Sequence, residues 1–146
     1  MKDEMQVCSF ELAKKLKELG VKQEGWFWYI KHIGENYHHY VTLGMPHFTF
    51  TDHNNLMHET PIWEIPTWEI FPAYTVAELL DLMPLVNGCP VQLIKGATID
   101  KGIMYCARYD NLQLNYSSIE TLPDKNPANA LAKMLIMLME EEHIKL

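Results

Sequence analysis

Arginine is nearly missing from this chain: Arg108 is the only one, and Lys and Arg together number 12 against 19 Asp and Glu, for a net charge of -7. Gripping DNA or RNA takes clustered cations that displace counterions from phosphates, so a nucleic-acid partner is not expected. Paired cysteines are missing too. Cys8, Cys89 and Cys106 are an odd set with no C-x-x-C spacing, which predicts reduced thiols and no disulfide framework. No apolar run approaches the roughly 18 residues that a bilayer-spanning helix needs. The opening MKDEMQVCSF lacks the charged-then-apolar pattern of a secretion signal, so a cytoplasmic protein is expected. Glycine-rich phosphate loops, nucleophile elbows and dinucleotide fingerprints are absent as well, so neither catalysis nor a cofactor is expected.

What is present reads as one ordered domain. The 146 residues are 48% hydrophobic and 21% charged, enough to bury a single core. Ser9 to Leu19 predicts a first helix: Ser9 caps it, Phe10, Ala13, Leu16 and Leu19 recur at helical spacing, and Gly20 stops it. Glu11 and Lys15 are expected to pair on its exposed side. Gly25 to Gly34, dense in aromatic and β-branched residues, predicts a strand. A turn at Gly34 to Asn36 then leads to an antiparallel partner, Tyr37 to Leu43.

Residues 44 to 72 are the irregular, Pro-, His- and Trp-rich middle, with four of the eight prolines. Within it Trp63-Glu64-Ile65-Pro66 is echoed by Trp68-Glu69-Ile70-Phe71-Pro72. Both copies alternate as half-buried strand, and their prolines confine them to short or edge strands. The five-residue offset requires a bulge or bend near Pro66-Thr67.

Farther on, Thr75 and Glu78 form a capping box that opens a short helix ended by Pro84. Val91 to Ile94 predicts a strand, and Gly102 to Tyr109 with Leu112 to Tyr116 a hairpin through Asp110-Asn111. Asn126 as cap and Pro127 at the first helical position start the last helix. Its apolar stripe, from Ala128 to Met139, is wider than one interface needs, so this helix is either central or shared with a second subunit. The expected fold is a single α+β domain over residues 1 to 146, with about three helices packed on a mainly antiparallel sheet.

Three stretches belong together: CSFELAKKLKELGVKQEGWFWY at Cys8 to Tyr29, YTVAELLDLMP at Tyr74 to Pro84, and NALAKMLIMLMEE at Asn129 to Glu141. Their order and phrasing resemble a family of small phage- and prophage-encoded proteins of gut bacteria that has no assigned activity. The resemblance implies an accessory protein working in a bacterial cytoplasm. It carries over no catalytic residues.

Two groups of side chains are candidates for a site. The first is the segment His47 to Thr60, with His47, His53, His58, Asp52 and Glu59 and two H-x-T triplets. Two such triplets on separate strands would make a histidine-dependent phosphodiesterase or hydrolase. Against that, Pro61 follows the second triplet at once, and eleven residues separate the two histidines. The spacing matches no zinc pattern, so no metal is assigned, and the plain reading is a solvated connection. The second group is aromatic. Trp26 and Trp28, sharing a face with Ile30, are expected in the core, whereas Trp63, Trp68 and Phe71 offer an edge for binding. The leading expectation is therefore an accessory protein that acts by protein–protein interaction, through the Trp63–Phe71 edge or by self-association through the last helix. A small-ligand-binding pocket is the other open reading.

Overall fold

The computed structural model describes residues 7–32, 39–44, 47–61, 68–86, 88–110 and 118–141. Gly34 to Asn36, Trp63, the Pro66-Thr67 bend and Leu112 to Tyr116 lie outside the described residues. The chain order is α1 (Phe10–Glu18), β1 (Phe27–His32), β2 (Tyr40–Leu43), β3 (His47–Thr51), β4 (Met57–Pro61) and β5 (Trp68–Pro72). Then follow α2 (Val76–Leu82), β6 (Gln92–Thr98), β7 (Gly102–Tyr109), β8 (Ile119–Glu120) and α3 (Pro127–Glu140). This is the expected α+β architecture of three helices with antiparallel strands. Among the described residues the strands form three ladders, β2-β1-β5, β3-β4 and β6-β7-β8, rather than one sheet.

The helix ends follow local chemistry. The Ser9 hydroxyl accepts from the Leu12 amide at 3.4 Å, and Gly20 takes a positive φ of 87° where the chain leaves α1. Thr75 and Glu78 close a complete capping box on α2, and the Asn126 side chain caps α3 ahead of Pro127. Lys15 does not follow its expected partner: its ammonium reaches Glu140 at the end of α3, 3.1 Å away, and ties the two helices together.

α3 is central. Ala128, Ala130, Leu131, Ala132, Met134, Leu135, Ile136 and Leu138 are all buried, because α1, α2, β6 and β7 pack around it. A helix apolar on so many sides is what a core helix requires. Its width is thus accounted for within one chain.

One short segment ahead of α1 collects the long-range bonds. The Cys8 amide donates to the Tyr74 carbonyl (2.9 Å), and its own carbonyl accepts from the Tyr29 hydroxyl (2.6 Å). The Val7 carbonyl accepts from the Asn126 side-chain amide (2.7 Å), and the Ser9 amide donates to Asn129 Oδ1 (2.7 Å). Asp124 completes the network, accepting from the Asn126 amide (2.8 Å), Asn129 Nδ2 (3.3 Å) and Lys133 Nζ (2.8 Å). Buried backbone groups need partners, and here residues far apart in sequence supply them.

Two sequence expectations are corrected here. The middle segment holds a regular hairpin, β3-β4, in place of an irregular connection. The strand expected to end at Ile94 is β6, which runs on to Thr98 and pairs with β7. The connecting turn works because Gly102 adopts a φ of 72°.

Candidate functional site

The histidine segment is a hairpin built on its own turn. Asp52 Oδ1 accepts from the amides of Asn54 (2.8 Å) and Leu56 (3.0 Å), and Asn55 takes a left-handed φ of 61°, which asparagine tolerates. Asp52 Oδ2 lies 2.7 Å from His58 Nε2. That imidazole, then the Leu56 amide, hold the Asp52 carboxyl below its ordinary range. His53 is exposed at the tip. The register sets His47 opposite Pro61 and His58 opposite Phe50, three rungs apart and of opposite parity, so the two positions do not share a face of the ladder. Pro61 ends β4 without breaking its pairing, contrary to the expectation that it would. Among the described residues no three His, Cys, Asp or Glu side chains gather as a metal site.

The aromatic edge gives a cleft. In the register of β1 with β5, Trp28 faces Pro72, Ile30 faces Ile70 and His32 faces Trp68, so these alternate positions share one side of the sheet. Trp28, Ile30 and Ile70 are buried there as a second, smaller apolar cluster, with Trp68 packed against it. Tyr29 and Phe71 take the other side and enter the main core, where Phe10 lies 5.5 and 4.9 Å from their ring centres. Phe71, expected at a binding edge, is therefore fully buried. Trp26 errs the other way: it precedes the first rung of β1 and is 66% exposed.

Among the described residues β5 is the end strand of its sheet, and α1 packs against it. Lys17 Nζ donates to the Ile70 carbonyl (3.0 Å) while lying 5.8 Å above the Phe71 ring, and Lys14 pairs with Glu69 at 3.1 Å. Lysines at a strand edge occupy carbonyls that another strand would otherwise bind. Between that helix end and the sheet opens a cleft of about 630 Å³, lined by Trp28, Trp68, Ile70, Lys17, Gln23, Glu24 and Gly25. Ligand sites commonly fall at about 300–1,000 Å³, with an apolar floor and few polar groups.

Gly25 shapes the wall. A Cβ there would stand 3.2 Å from Pro72 Cβ and 3.3 Å from Glu78 Oε1, so a larger residue would require the end of β5 or the Glu78 side chain to give by a few tenths of an ångström. The same passage brings the Trp26 amide within 2.7 Å of Glu78 Oε1. Of the sequence candidates, Trp68 lies in the cleft. His53 and His58 sit on the separate hairpin, and Trp63 lies outside the described residues. Lys17, Gln23, Glu24 and Gly25 were not singled out in the sequence. The glycine just ahead of an aromatic strand was the one available signal.

Two of the three thiols are guarded. Burial pushes the Cys8 thiol up to about 12, and Cys106, whose Sγ donates to Glu120 Oε1 at 3.0 Å, is held up at about 11 by that carboxylate. Thiolate nucleophiles require the opposite environment. No helix among the described residues is long and apolar enough to cross a membrane. No protein-family model, curated protein or solved structure matches the chain. Fold and site together define an α+β domain with an aromatic cleft at a lysine-covered sheet edge.

Proposed function

We propose that this protein acts by binding another protein, as a phage or prophage accessory factor in a bacterial cytoplasm, and that the Trp28–Trp68–Ile70 cleft is where the partner inserts. The cleft itself carries the reading. Two indoles and an isoleucine line a concave cleft together with Lys17, Gln23, Glu24 and Gly25, and clustered aromatics beside polar groups are what interface hot spots use. The resemblance of the three sequence blocks supplies the setting.

A photo-crosslinking residue at Gln23, on the cleft rim, tests the idea inside a bacterial host. A discrete adduct that disappears in a Trp68→Ala background is expected. An adduct that forms equally well without Trp68, or one formed from Ile99 at the β6-β7 turn and not from Gln23, would move the interface elsewhere.

The small-ligand reading draws on the cleft volume, which also suits a free metabolite. Thermal-shift screening with nucleotides separates the two, since a specific ligand raises Tm by mass action without any partner protein.

A further inference from the structure

Four lysines lie between positions 14 and 22 of a chain whose net charge is -7. Three are neutralised by carboxylates: Lys14 by Glu69 at 3.1 Å, Lys15 by Glu140 at 3.1 Å, and Lys22 by Glu24 at 2.9 Å. Lys17 differs. Among the described residues its ammonium meets a carbonyl and the face of a ring, and no carboxylate. It is also the one of the four that lines the cleft, where the acid Glu24 is already paired with Lys22.

From this we infer that the cleft accepts an aromatic or large aliphatic group that bears a carboxylate, with the apolar part on Trp28, Ile70 and Trp68 and the anion on Lys17. The inference rests on the cleft being the binding site and adds what it selects. An ammonium has three donors, and the Ile70 carbonyl uses one. A carboxylate on the remaining donors makes a charge-assisted bond beside apolar walls that weaken screening by water. A neutral ligand of the same shape gains no such bond. A cationic one would meet like charge. Holding Lys17 by the Ile70 carbonyl also fixes the ammonium before the ligand arrives, which reduces the entropy lost on binding.

The carboxylate is assigned to an acidic residue of the inserted partner segment, as the protein-binding reading requires, and a free small acid is the outcome that would overturn that source. Three probes separate them: N-acetyl-phenylalanine, its neutral amide, and the capped dipeptide acetyl-Asp-Phe-amide. Binding is followed by NMR on the indole N–H signals of the full-length protein, with Trp28 and Trp68 assigned through Trp→Phe variants. The expected result is that both acids shift the Trp28 and Trp68 signals and bind roughly fivefold more tightly than the neutral amide, the scale of one partly exposed charge pair. Preference for the dipeptide supports the protein segment, and preference for the free acid overturns that source.

Lys17→Gln keeps a donor for the Ile70 carbonyl while removing the charge, so it should bind all three probes alike. Lys17→Arg should restore the preference, which separates charge from a packing role. Equal binding of acid and amide to the wild type, or an undiminished preference in Lys17→Gln, overturns the inference and leaves the cleft as a binding site. Shifts confined to Trp26 would overturn both.

Discussion

The Val7–Ser9 hub and the β3-β4 turn use much the same side chains to opposite ends. At the hub, Asn126 and Asn129 bond to backbone about 120 residues away and Asp124 to neighbours at the start of α3, all partly out of water. At the turn, Asp52 bonds to Asn54, Leu56 and His58, none more than six residues away and all exposed. A bond that closes a long loop inside the fold fixes tertiary structure, whereas one within a solvated turn fixes only that turn. Polar residue type therefore says little here about importance. Burial and sequence separation decide it.

The comparison can be broken from either side. The largest effect is expected for Asn129→Ala, which leaves the Ser9 amide without its acceptor. A loss of about 1–3 kcal/mol in urea unfolding is the scale for an orphaned, partly buried donor. An unchanged midpoint would mean that water serves the amide and that the hub is not structural.

Next comes the acid limb of stability. Burial raises the Asp124 carboxyl, but the Lys133 ammonium and the Asn126 amide outweigh it, so the group sits below its ordinary value of 3.8. A depressed carboxylate contributes stability that is complete above 3.8 and is lost as pH falls through the lowered folded value. Asp124→Asn should flatten that limb in acid titrations followed by circular dichroism. If the wild type and the variant lose stability in parallel, the network is not charge-dependent.

A smaller and sharper readout is chemical. Cys8 lies inside the hub, so a thiol reagent at pH 8 should label it only as fast as the protein unfolds globally, as measured by mass spectrometry. Rapid labelling would show that the hub opens locally. The smallest effect belongs to the turn. Asp52→Ala should leave the global Tm unchanged and move amide NMR signals only around residues 51 to 58, and a fall in Tm would erase the contrast between the two regions.

How much was legible in the sequence follows the same division. Ser9, the Thr75–Glu78 box and Asn126-Pro127 marked all three helices, because a cap depends on residues no more than three positions away. The β1-β2 pairing was legible as well. The β3-β4 hairpin was not, since its turn runs through Asp52 to Leu56 with an asparagine, not a glycine, in the left-handed position. Trp26 and Phe71 were misplaced because alternation gives the spacing of a strand but not its first rung or the side that faces the core. Lys15 was given a local partner when Glu140 was nearer in space.

By itself, then, the sequence determined the three helices of the described residues, the antiparallel character of the strands and the acidic balance, all of them set by neighbours along the chain or by totals. The tertiary structure alone decided that α3 is central, that Val7–Ser9 is where distant segments are bonded, and that Lys17 meets Trp28, Trp68 and Ile70 across a cleft. Those contacts join residues dozens of positions apart, and only the pairing of β1 with β5 and the seating of α1 on that edge bring them within reach.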